Sequence, residues 1–275
     1  MRTILSFNVA NSLSDEKTNL RFGLRINQIC ELISAYNPDI VCIQEVRQCL
    51  DEYGINILYP HDIAAKIASA TNLFVAGLFL INPSSITFGR LMLYNPNTVF
   101  PLQCWGEWCS PTPFIPSGGS YNSPKKIGIG IQYGLFADVV SRENCDLGEK
   151  RLFVANVHYP LSFNEKMFTN KYLRIKIPKV AQNTNTIICG DFNTFNTEGT
   201  TLIDDLKQSF IETSEHITKT FTCFPHSKYD GNIYSDKLDH VFAFPHANFI
   251  NSVNAYDTSV NYESDHNLII IRTNL

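Results

Sequence analysis

Carboxylates, amides and imidazoles stand in this chain where apolar runs stop. Asn8 in SFNVAN, Glu45 in CIQEV, His158 in ANVHYP, Asp191 and Asn193 in GDFN, Asp239 in KLDHVF, and Asp265 with His266 in SDHN each follow or interrupt such a run. Singly, each reads equally well as a turn or a capped strand edge, because Gly and Asx residues tolerate turn geometry and bond to nearby backbone. Collectively they do not, because a carboxylate or imidazole buried without a partner is costly. Such groups accept, donate and orient protons, so the pattern predicts one polar site assembled from many strand ends.

The elements that must position them are mostly strands. Residues 3–9 and DIVCIQEV read as strands on either side of a helix over LRFGLRINQICELISAYNP, which closes at Asn37-Pro38. Further strands are predicted at SITFGRLMLYNP, IGIGIQYGLFADVV and KRLFVANVHY, followed by a helix near 163–181 and the strand TIICGDF. After a helical or irregular stretch from Glu198 to Thr220, strands are expected at 238–244, 249–256 and 267–273. Pro101 to Lys126, rich in Pro, Gly, Ser and aromatics, reads as a long surface loop.

A chain of 275 residues, 44% hydrophobic, can bury a large core, and it shows no internal repeat and no long linker. The net charge of −4 gives no global basic field, so a polyanionic substrate would need a local positive patch, a bound metal or both. Of the eight cysteines, Cys42 and Cys189 lie in apolar runs and read as packed free thiols. CWGEWC leaves a local Cys104–Cys109 bridge or a weak metal clip open. The N-terminus reads as a first strand and not a signal peptide, and the apolar stretch from Ile67 is too short and mixed to span a bilayer. A cytoplasmic protein is the expectation.

GDFN, a late SDH and an upstream QEV, in this order between Ile4 and Leu268, resemble the endonuclease/exonuclease/phosphatase superfamily. The resemblance implies an α/β fold over residues 1–275: a four-layer α/β/β/α sandwich, two mainly antiparallel sheets face to face with helices outside. It also implies a metal-dependent phosphoester hydrolase with Glu45 as principal metal ligand, Asn8 nearby and Asp265 contributing. Hard oxygen ligands of this kind suit Mg²⁺ or Mn²⁺. Asp191 would orient or deprotonate the attacking water, and Asn193 would hold its geometry. His266 would bind the phosphate with Asp239 fixing its ring. His158 matches a histidine near the scissile group whose glutamate partner in deoxyribonuclease I is replaced here by Arg90.

A phosphodiesterase acting on DNA or RNA is favoured because QEVRQ resembles deoxyribonuclease I, where the arginine after the metal ligand touches DNA; Arg47 holds that position. Asn8-Val9-Ala10-Asn11 departs from the Asn-Val/Ile-Asp-Gly of repair nucleases, and Thr194-Phe195 departs from inositol-polyphosphate 5-phosphatases. The alternative is a lipid or small-molecule phosphoesterase, for which Leu73–Ile81 could meet a membrane surface, although a core strand or helix suits that segment better. Lys125-Lys126 could meet a phosphate backbone or anionic headgroups. A non-catalytic binding module on the same fold is disfavoured by the retention of every core polar position.

Overall fold

A computed structural model of the chain describes residues 1–9, 19–51, 53, 55–80, 88–108, 130–139, 151–182, 184–222, 235–258 and 264–274. In chain order the elements are β1 (Arg2–Asn8), α1 (Asn19–Ala35), β2 (Ile40–Arg47), β3 (Cys49–Leu50), β4 (Ile57–Leu58), α2 (Pro60–Thr71), β5 (Phe74–Leu80), β6 (Phe88–Tyr94) and β7 (Val99–Trp108). There follow β8 (Gly130–Asp138), β9 (Arg151–His158), α3 (Phe163–Ala181), β10 (Asn185–Asp191), α4 (Asn196–Lys207), β11 (Ile211–Glu212), β12 (Phe221–Thr222), β13 (Ser235–Asp236), β14 (Asp239–Phe244), β15 (Ile250–Tyr256) and β16 (Leu268–Thr273).

Two six-stranded sheets form, ordered β15-β16-β1-β2-β6-β5 and β11-β14-β10-β9-β8-β7. Each is antiparallel except for one inner parallel pair, β1 with β2 and β9 with β10. Alternating side chains sort into three apolar layers. Ile4, Cys42, Met92, Val154, Ile187, Cys189 and Val241 pack between the sheets. Leu5, Phe7 and Ile43 point outward onto Ile29 and Ile33 of α1 and Ile63 and Ile67 of α2. Phe153, Ile188 and Phe242 point the other way onto Leu173 and Ile177 of α3 and Leu206 of α4. The order is therefore helix, sheet, sheet, helix, the four layers expected.

One polar seam interrupts the central layer. Gln44 Nε2 donates to Asn156 Oδ1 at 2.7 Å, Asn156 Nδ2 donates to Gln132 Oε1 at 3.1 Å, and Gln132 Nε2 donates to the Gly77 carbonyl at 2.8 Å. Gln44 and Gly77 belong to one sheet, Asn156 and Gln132 to the other.

Three local expectations need correction or completion. The loop predicted from Pro101 begins as strand: β7 runs to Trp108 and pairs with β8, with Pro101 at a register shift on the sheet's edge, where a missing N–H is tolerated. Helix α2 has no counterpart among the expected elements; Pro60 opens it and Asn72, at φ 56°, closes it inside what reads as one apolar stretch. Leu73–Ile81 contains the edge strand β5, with Phe74 and Val75 exposed. Among the described residues no helix is long and apolar enough to cross a membrane. Cys42, Cys104 and Cys189 are free thiols, whereas Cys109, Ile81 and Lys125-Lys126 lie outside the described residues.

Candidate active site

The topology brings the polar strand ends to one rim. β1, β2, β9 and β10 all finish there, delivering Asn8, Glu45, His158 and Asp191. β14 runs antiparallel to β10 and so begins there, with Asp239 directly opposite Asp191. The segment before β16 returns beside β1 and carries Asp265 and His266; Ser264 Oγ donates to the Asn8 carbonyl at 2.7 Å.

Glu45 reaches the rim through a β-bulge. Ile43 and Val46 both face the helices, so one residue is absorbed between them, and the β2–β6 register shifts at that point. Glu45 takes the left-handed φ of 56°. Such bulges re-aim a side chain that strict alternation would send elsewhere. Gly190, at φ 139°, is also special: a Cβ there would lie 2.0 Å from the Val157 carbonyl oxygen, so only glycine lets β10 approach β9.

Asp191 is the hub. Its Oδ2 accepts from Asn8 Nδ2 at 2.9 Å and lies 3.6 Å from His158 Nε2 and 3.8 Å from His266 Nε2, while its Oδ1 accepts the Asn193 N–H at 2.7 Å. Asn193 Nδ2 donates to the Tyr159 carbonyl at 2.7 Å. His158 Nε2 is also 3.3 Å from Glu45 Oε1, and Glu45 Oε2 pairs closely with the half-exposed Arg47 guanidinium. His266 Nδ1 meets Asp239 Oδ2 at 2.9 Å, and Phe221 lies edge-on to the imidazole with ring centroids 5.0 Å apart.

These contacts set the charge states. Burial drives the Asp191 carboxyl up to about 7, helped by Asp239 and Glu45 and opposed by His266 and the Asn193 N–H. Burial would lower His266, but Asp239 and Asp191, together with the hydrogen bond to Asp239, outweigh it and raise the imidazole to about 10. His158 goes down to about 4 through burial and the nearby Arg90, His266 and Arg47 charges, against the pull of Glu45. Burial acts to raise Glu45, but Arg47, His158 and His266 bring it below the ordinary value. His266 is thus an imidazolium at neutral pH and His158 a neutral ring. Arg90, itself fully buried, donates to the His158 backbone carbonyl at 2.8 Å.

Among the described residues two groups could hold a cation. Glu45, His158 and Asp191, and separately Asp191, Asp239 and His266, each offer ligand atoms within 4.8 Å of one another. The first fits a hard divalent ion better, because the second contains an imidazolium, which offers an ion no lone pair and repels it. Asp265 belongs to neither group; it is buried and its charge helps to hold His266 protonated. Sequence reasoning missed Lys166, Asn170 and Tyr159, which brace the site from behind: Tyr159 Oη donates to Asn170 Oδ1 at 2.9 Å, and Lys166 Nζ donates to the Asn193 carbonyl at 2.6 Å. For Lys166 and Asn170 the signal was the poor amphipathicity of α3, whose buried face is polar at Lys166, Thr169 and Asn170.

The model of the Endonuclease/Exonuclease/phosphatase family matches residues 5–266. The chain belongs to this family. Its members are phosphoester hydrolases, and so is this enzyme. Among solved structures, a conserved protein of unknown function from Enterococcus faecalis superposes with a TM-score of 0.72 at 17% identity, covering 98% of each chain. The mannosyl-6-phosphatase Bt3783 of Bacteroides thetaiotaomicron gives 0.67 at 17%, covering 100% of each. TDP2 of D. rerio, complexed with a single-strand DNA product, gives 0.63 at 17%, covering 100% of this chain and 99% of that one. At such identities the likeness is one of fold. No curated protein matches the chain.

Proposed function

We propose that the enzyme is a Mg²⁺- or Mn²⁺-dependent phosphodiesterase acting on DNA or RNA, with residues 1–275 as one catalytic domain. The reading is carried by the convergence of Glu45, Asp191 and His266 on one rim, with a carboxyl near neutrality beside an imidazolium. Glu45, with Asn8 nearby, would hold the cation, which supplies charge neutralisation at the phosphoryl oxygens. Asp191 orients and deprotonates the attacking water, its own orientation set by Asn8 and Asn193. His266, kept charged by Asp239 and Asp265, binds a phosphate oxygen and takes up part of the charge that develops there. His158, neutral and 3.3 Å from Glu45, would offer a hydrogen bond to the leaving oxygen.

Support for nucleic acid comes from Arg47, a half-exposed guanidinium beside the metal ligand, and from the TDP2 structure with its DNA product. A phosphomonoester of a small molecule is the second reading, favoured by the end-to-end likeness to a mannosyl-6-phosphatase. The test is hydrolysis of supercoiled DNA, single-stranded RNA, sphingomyelin, an inositol phosphate and mannose 6-phosphate with Mg²⁺ or Mn²⁺ and with chelator, using Glu45→Ala as blank. Chelator-sensitive cutting of nucleic acid alone supports the first reading. Phosphate release from the sugar phosphate with nucleic acid untouched moves the assignment to the second.

A further inference from the structure

Lys166 sits where elementary energetics disfavour a lysine. It is 2% exposed, so its ammonium is desolvated. It also lies in the first turn of α3, after the N-cap Ser162, where the helix macrodipole repels positive charge. A surface-facing or apolar residue would avoid both costs. The ammonium is instead aimed at one place: Nζ donates to the Asn193 carbonyl at 2.6 Å and stands 6.0 Å above the Phe195 ring.

That carbonyl belongs to a residue under backbone constraint. Asn193 has the left-handed φ of 51°, its N–H holds Asp191 Oδ1 at 2.7 Å, and its carbonyl also accepts the Phe195 N–H at 3.0 Å. The residue whose N–H fixes the Asp191 carboxylate is thus gripped at its carbonyl, in the next peptide unit, from the helix side by a charge-assisted hydrogen bond, the stronger kind.

We infer that Lys166 is a positioning residue: its ammonium, held on the Asn193 carbonyl, fixes the Asp191–Asn193 turn and so the aim of the carboxylate at the attacking water. The inference rests on the hydrolytic role given above to Asp191. Lys166 acts through the Asn193 carbonyl and not on the reacting atoms, so its removal acts on turnover and leaves binding alone. A displacement of the order of 1 Å at such a group costs about 100-fold.

The experiment compares wild type with Lys166→Gln, a shorter neutral donor, and Lys166→Met, which keeps bulk and loses the donor. Steady-state kinetics on whichever panel substrate is cleaved are read beside hydrogen exchange of the 192–195 amides and Mn²⁺ titration of the full chain. Expected are a fall in kcat of about 100-fold for Met and about 10-fold for Gln, KM and Mn²⁺ affinity within threefold of wild type, and faster exchange at 192–195 with β10 still protected. Wild-type turnover in the Met variant, or equal losses in both, overturns the inference. Should the Met variant not fold, Gln alone decides, and wild-type kcat there overturns it. Should wild type cleave nothing on the panel, the hydrolytic reading fails by itself; unchanged exchange in the variants then overturns the positioning role, and faster exchange upholds it.

Discussion

Replacing Asp239 by asparagine isolates what one carboxylate does for the His266 imidazole. Raising that ring from an ordinary 6.5 to about 10 represents about 5 kcal/mol of preference for the charged form. Burial works against it, so the preference comes from Asp239 at 2.9 Å and Asp191 at 3.8 Å, with Asp265 behind them. The Asp239→Asn side chain would keep the shape and lose the charge at the nearer position, so burial is opposed only by Asp191 and Asp265 and the imidazole drops from about 10 toward its ordinary value. In the limit of an ordinary 6.5, about 3% of rings would be protonated at pH 8, so kcat should fall by up to about 30-fold from protonation alone. The basic limb of the pH–rate profile should move down from near 10 by the same shift. The assay is that profile together with NMR titration of the His266 ring. The sign for stability follows: the folded value exceeds the unfolded one, so the contribution is complete below pH 6.5 and disappears as pH rises through about 10. Urea denaturation in chelator should therefore show wild type losing more stability than Asp239→Asn between pH 7 and 10. Turnover of the variant at pH 8 within threefold of wild type, or a ring still titrating near 10, would refute the reasoning.

Glu45→Ala should abolish chelator-sensitive hydrolysis and weaken Mn²⁺ binding by calorimetry at least tenfold while far-ultraviolet circular dichroism is unchanged. Gly190→Ala should destabilise by about 3 kcal/mol, because its Cβ would collide with the Val157 carbonyl and its φ is foreign to L residues; the check is a shift in urea midpoint. Arg47→Ala should raise KM for a nucleic-acid substrate several-fold, with a smaller salt dependence, and leave kcat for a small phosphoester within twofold.

The elements were legible because apolar runs and helical spacing are strong over long stretches such as β2, β9 and α1, whereas their four-layer arrangement was expected only from the resemblance carried by QEV, GDFN and SDH. The same logic failed at Val99–Trp108, where a proline and the Trp, Gly and Glu residues after it hid an edge strand whose identity comes from pairing with β8. At the rim, the polar strand ends announced themselves by chemistry, and their junction required only that neighbouring strands run as they do. What fixes their aim was not legible. The bulge at Glu45 is a tertiary register shift, and Lys166 taken singly reads as an ordinary helical surface lysine, its burial hinted at only by the poor amphipathicity of α3.

The seam Gln44–Asn156–Gln132–Gly77 matters because the rim is divided between the sheets: Asn8, Glu45 and the His266 segment come with one, His158, Asp191 and Asp239 with the other. Aliphatic side chains can slide past one another at little expense, whereas directional amide contacts tolerate hardly any lateral drift. The seam therefore acts as a dowel between two plates, locking their relative translation just below the place where their halves must meet. Refilling it with leucines would produce a tougher protein with a blunter tool. Directed evolution for thermal tolerance should accept such changes readily, and selection for turnover should reverse them first.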